Sequence, residues 1–104
     1  MNNKVKLINI ISIACRAGKV ISGEFVIEKT LNGKNNVKLL LLASDVATAT
    51  KEKYEKLSQN SKALLRYTEL TKDEMANSIG KTDRAAIAIC DEGFKKAILK
   101  ILDN

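Results

Sequence analysis

Polar residues interrupt the first stretch of the chain at a helical period. Asn2, Lys6, Asn9, Ser12 and Arg16 recur at steps of three or four. Over Asn3 to Ala17 that spacing predicts a largely buried helix with one narrow wet stripe. Gly18 is placed to end it, with Arg16 and Lys19 near the negative end of the helix dipole. "VIS" at 20–22 reads as a short extended piece. A second helix is predicted from Gly23 to Asn32, with Ser22 as N-cap, Glu24 in the first turn and Gly33 as its stop.

The pattern then changes. "VKLLLLAS", 37–44, is apolar almost throughout and bounded by "GKNN" and "SD". It is too short for a buried helix and predicts a central strand covered on both faces. A helix from Thr48 to Gln59 and a short strand at "LLRYT" follow. Thr71-Lys72-Asp73-Glu74 is a capping box opening a helix that runs to Ile79. "AAIAIC", 85–90, is the second fully buried strand, and Asp91 caps a last helix with Phe94, Ala97, Ile98, Ile101 and Leu102 on its apolar side. Strands and helices alternate from residue 20 onward, which predicts a three-layer α/β/α sandwich around a small mixed sheet of about four strands. With no repeat and no linker in its 104 residues, 1–104 reads as a single domain.

Composition narrows the chemistry. The chain has no histidine, so the commonest general base and the commonest metal ligand are both missing. No cofactor and no metal are expected. Cys15 and Cys90 lie far apart within apolar runs and read as buried free thiols of a reducing cytosol, with a disulfide as the alternative. The apolar N-terminal stretch carries Lys4, Lys6, Asn9, Ser12 and Arg16, too many polar groups to span a bilayer or to form a secretory leader. A cytoplasmic protein with no membrane partner is expected.

The formal charge of +6 is uneven. Residues 1–38 hold seven Lys/Arg against Glu24 and Glu28, whereas the remainder is close to balanced. A basic end suits a phosphate-bearing partner, and a solvated lysine-rich surface is the plain alternative.

Two specific chemistries fail on spacing. A phosphate-binding Walker loop needs lysine after its second glycine, but in "GKVISGEF" that position is Glu24, which would repel a phosphate at the helix start. No dinucleotide fingerprint is present either. Asp45 follows the central strand, where α/β active sites often lie, with Ser44 before it. A Ser-Asp pair without histidine or a suitably placed lysine makes a poor hydrolase, so Asp45 is expected to accept backbone N–H groups in the strand-to-helix turn, and no enzyme is expected.

In a sandwich of this connectivity, the start of the second helix, the "ASDVAT" turn and the "IGKTDRAA" turn could share one end. That end is expected to carry Lys19, Lys29, Lys81 and Arg84, with Gly23 allowing close backbone approach. Helix N-terminal amides with flanking cations suit an RNA backbone.

Three signatures, "RAGK…SGE…K", "NGK…LLLLASD" and "IGK…R…A", run through most of the chain. On these the sequence resembles the bacterial YlxQ-type ribosomal-protein-like family, within the superfamily of kink-turn-binding ribosomal proteins of archaea and eukaryotes. The resemblance implies an α/β/α fold, structured RNA as partner (ribosomal RNA or a kink-turn-like element) and a link to the ribosome or translation factors. Kink-turn binders of that superfamily typically carry a glycine, two polar residues and a lysine in the first turns of the second helix. The glycine matches Gly23 and the lysine matches Lys29, but the polar pair that reads guanines falls on Phe25 and Val26. Neither can make a bidentate base contact, though Phe25 could stack on a splayed base. The late loop "IGKTDR" is shorter than in other members and carries Lys81 and Arg84. Backbone contacts therefore survive the comparison better than base contacts.

The expected RNA-binding set is Lys19, Ser22, Gly23, Phe25, Val26, Lys29, Lys34, Lys81 and Arg84. The plain alternative makes Val26 a sheet-facing residue and Lys29 and Lys34 ordinary surface lysines. A different class of function is a protein-interaction module, docking on translation or transcription factors with Phe25 as a hydrophobic anchor.

Overall fold

A computed structural model describes residues 2–33 and 36–104, so Lys34 lies outside the described residues. Nine elements follow in order: α1 (Asn3–Arg16), β1 (Val20–Ser22), α2 (Glu24–Asn32), β2 (Leu39–Leu42), α3 (Thr48–Gln59), β3 (Leu64–Tyr67), α4 (Lys72–Ser78), β4 (Ala86–Ile89) and α5 (Glu92–Leu102). The sheet runs β1-β4-β2-β3. β4 is antiparallel to both neighbours, and β2 and β3 are parallel. The sheet is therefore mixed.

Burial explains why the two central strands read as continuous apolar runs. Leu39 and Leu41 of β2 and Ile87 and Ile89 of β4 enter a core with Leu7, Ile11, Met75 and Ile98. That places α1, α4 and α5 on one face. Leu40, Leu42, Ala86 and Ala88 enter the other core with Ile27, Leu31 and Tyr54, under α2 and α3. Successive strand residues alternate between two apolar layers, so no polar position is left on either strand.

Local stop and start signals work largely as expected. Gly18 takes a left-handed φ of 74° just past α1, and the Asp91 side chain accepts the Phe94 N–H at 2.9 Å. Three expectations change. The exposed side of α1 is wider than one polar stripe, because Val5 and Ile13 are also exposed. Ser12 does not lie in a wet stripe: its hydroxyl donates to the Ser78 carbonyl at 2.8 Å and ties α1 to α4. Both thiols are free but only half-buried, Cys15 beside the α1 core and Cys90 beside the opposite one. Among the described residues no helix is long and apolar enough to cross a membrane.

The capping box at the start of α4 is complete. Thr71 Oγ1 accepts the Glu74 N–H at 3.1 Å and Glu74 Oε1 accepts the Thr71 N–H at 3.0 Å. Lys4 of α1 donates to both Glu74 carboxylate oxygens at 3.1 Å. The Thr71 N–H first, and then Lys4, hold the Glu74 carboxyl below the usual glutamate range. A folded value below the unfolded one means stability that is full at neutral pH and is lost as pH falls through the folded value. Urea denaturation at pH 7 and pH 3 should therefore show a smaller acid loss for Glu74→Gln than for the natural chain. An equal loss would place the acid sensitivity elsewhere.

Candidate nucleic-acid interface

Strand register decides which turns meet. Ser22 lies opposite Ile87, and Leu42 lies opposite Ala86. The end of β1, the end of β2 and the start of β4 thus lie together at one end of the sheet. Two backbone bonds tie the turns there, from Ala43 N to Ala85 O at 2.8 Å and from Ser44 N to Leu70 O at 2.7 Å. Between the start of α2 and the 80–85 loop is an open cleft of about 310 Å³, lined by Gly23, Glu24, Ala47, Tyr54, Lys72 and Arg84 among others.

Gly23, not Ser22, is the N-cap residue of α2, and no side chain caps this helix start. The first-turn amides of a helix otherwise need an outside partner, and the dipole makes this end attractive to anions. Gly23 has φ 92° and ψ 129°, a region that L side chains rarely enter. A Cβ there would meet nothing within 4 Å, so the glycine is required by backbone conformation and not by space.

Ser22 has a different task from the capping expected of it. Its Oγ accepts the Arg84 Nε–H at 3.2 Å. Arg84 Nη1 donates to the carbonyls of Thr82 and Asp83, so the guanidinium is folded against its own loop. Asp83 supports that curl with a left-handed φ of 46°, a conformation aspartate tolerates better than most residues. Arg84 Nη2 has no hydrogen-bond partner among the described residues. Lys81 is exposed in the same loop, its N–H closing α4 on the Ala76 carbonyl at 2.9 Å.

The outer face of α2 carries the next group. Ile27 and Leu31 point into the core, leaving Phe25, Val26 and Lys29 exposed. Val26 is 46% exposed and does not face the sheet. Phe25 is 76% exposed and belongs to neither core.

Lys19 departs from the expected cluster. Val20 pairs with Ile89, and the Lys19 carbonyl accepts the Cys90 N–H at 2.8 Å. The three residues of β1 therefore separate Lys19 from Gly23, roughly 13 Å along the strand. Lys29, in the last turn of α2, is not in the cleft lining either. The cations are thus spread along an edge instead of gathered at one end.

No pattern along the chain points to Lys53. From α3 its Nζ contacts Glu24 at 2.5 Å and Glu28 at 3.0 Å. These two carboxylates, Glu24 first, hold the Lys53 ammonium well above the usual lysine range. Glu24 is the residue whose charge should repel phosphate at this helix start, and Lys53 neutralises it. Only the packing of α2 beside α3 makes this pair, so no local pattern could announce it. Two further groups, Asp45 near the cleft and Tyr54 in its lining, are committed to structure. Asp45 Oδ1 accepts the Lys72 N–H at 2.8 Å, so it is a backbone acceptor, but for the start of α4 and not for its own strand-to-helix turn. Burial, then the charge of Glu24, pushes the Tyr54 phenol up to about 12, so it stays neutral.

A small α/β/α sandwich with an open, cation-flanked helix start at one sheet end is the class these features define. Two curated relatives match this chain over nearly their whole length. The RNA-binding protein YlxQ of Bacillus subtilis (strain 168) is 31% identical over 94 residues, covering 90% of this chain and 92% of that protein. The protein of the same name from Enterococcus faecium is 31% identical over 104 residues, covering 98% of this chain and 96% of that one. The chain belongs to the YlxQ family.

Solved structures agree on architecture. A protein with unknown function from Bacillus halodurans C superposes with a TM-score of 0.85 at 24% identity, covering 95% of this chain and 98% of that one. The Giardia lamblia 15.5kD RNA binding protein superposes with a TM-score of 0.72 at 11% identity, covering 97% and 85%. No family model matches the chain.

Proposed function

We propose that the chain is a single-domain, non-enzymatic RNA-binding protein of the cytoplasm that grips structured RNA along the α2 edge. Ribosomal RNA or a kink-turn-like element is the expected class, with the ribosome or its factors as the setting. The observation that carries this reading is the meeting of Ser22, Gly23 and Arg84 at the uncapped start of α2, in a chain whose relatives are named RNA-binding proteins. Phosphate contacts fall to the first-turn amides of α2, to Arg84 and Lys81 beside them, and to Lys29 further along the helix. Lys19 extends the basic edge past the far end of β1, and Lys34 is proposed to continue it. Binding is favoured over catalysis because the Glu24 carboxylate of the cleft is paired with Lys53 and the nearby Asp45 carboxylate accepts the Lys72 amide.

Crosslinking in cells followed by sequencing of the bound RNA tests the reading. Enrichment of structured segments, ribosomal ones among them, is expected. Recovery no greater than from an Arg84→Ala, Lys29→Ala strain would remove the reading.

Neutralisation by Lys53 has its own consequence. Lys53→Met should weaken RNA binding about fivefold at low salt, since it releases carboxylate charge beside the phosphate path. Adding Glu24→Gln and Glu28→Gln should restore affinity in a fluorescence anisotropy titration. A loss that these changes fail to rescue would make Lys53 a purely structural brace between α2 and α3.

A further inference from the structure

Among the described residues Phe25 is the most exposed of the large hydrophobics, at 76% against 47% for the next, Ile13. An aromatic ring so placed contributes nothing to either core, and leaving it in water stabilises nothing. Its neighbours define what it suits. Gly23, with no side chain, precedes it, and the space where a Cβ would stand is open. Glu24, before it in the chain, is drawn toward α3 by Lys53. Lys29 follows four residues on, on the same helix face and about 6 Å further along the axis. A flat apolar ring one helical turn from a cation matches a nucleotide, base on the ring and phosphate on the ammonium. A protein anchor would need a broader apolar surround, but around Phe25 only Val26 is apolar and exposed on this helix.

We propose that Phe25 is a stacking platform for an unpaired nucleobase. Resting on the RNA-binding reading above, it specifies the ligand class further: RNA carrying a bulged or looped-out nucleotide beside a helix. The ring has no hydrogen-bonding group, so it selects for a base that is free to stack and not for a particular base edge. Purines, with the larger stacking face, are favoured over pyrimidines.

The test compares three RNA hairpins of one sequence at fixed salt: fully paired, with a single bulged adenosine, and with an abasic site at the bulge. The natural chain should bind the bulged adenosine about five- to hundredfold more tightly than the other two. Inosine at the bulge should bind like adenosine. Phe25→Ala should bind all three alike, whereas Phe25→Trp should keep the preference and show quenched indole fluorescence on the bulged hairpin. Equal binding of the three hairpins by the natural chain would overturn the proposal and leave the ring to a protein partner. Discrimination that persists in Phe25→Ala would also overturn it. Absence of salt-dependent binding to any hairpin would instead remove the RNA-binding reading on which the proposal rests.

Discussion

Leu41→Ala is expected to destabilise the fold by about 3 kcal/mol, within the roughly 2–5 kcal/mol typical of truncating a buried leucine. Leu41 is fully buried on β2, an inner strand held between β3 and β4. It sits in the core shared with Leu7, Ile11, Met75 and Ile87, so the lost volume is bordered by side chains of α1, α4 and β4 that cannot all relax. For a chain of this length that is a fall in Tm of roughly 10–25 °C. Val26→Ala, half-exposed on α2, should stay within about 0.5 kcal/mol. Urea denaturation of the two variants checks both values. A loss below 1 kcal/mol at Leu41 would contradict the two-core packing.

Lys29→Ala combined with Arg84→Ala should lower affinity for structured RNA at least about a hundredfold at low salt, since charge-assisted contacts carry roughly 1.5–3 kcal/mol each. The slope of log K against log salt should flatten by about 1.4–1.8, the share of two phosphate contacts. Arg84 is held ready for this by Ser22 and its own loop, so little side-chain freedom remains to be lost on binding. Lys96→Ala with Lys100→Ala removes the same charge from the exposed side of α5, in the layer opposite α2. That control should change affinity far less. Equal losses in the two double variants would mean that net charge, and not this edge, governs binding.

The elements that were legible in the sequence are those set by short-range physics. The Thr71–Glu74 box and the Asp91 cap each span four residues, and both form as the residue types require. "VKLLLLAS" and "AAIAIC" could be read as doubly covered strands because burial on both faces leaves no polar alternation. Strand order was not legible, since nothing local says that β4 inserts between β1 and β2. The site divides the same way. The convergence of the α2 start with the 80–85 loop was anticipated from connectivity, and Ser22, Gly23 and Arg84 do meet there. Ser22 as a cap was a fair local inference that a long-range partner, Arg84, displaced. Lys19 reads as part of the cluster along the chain but lies apart from it in the fold, because sequence distance hides the direction of a strand. Lys53 went unseen because its partners lie on another helix.

Amide chemical-shift mapping of the labelled chain with a bulged RNA hairpin, at about 50 mM salt, tests the central claim most directly. The expected result is a contiguous set of shifts over Ser22, Gly23, Phe25, Lys29, Lys81 and Arg84, fading as salt rises. Shifts centred on the exposed side of α5 or on the β3 edge, with residues 22–29 unmoved, would contradict it.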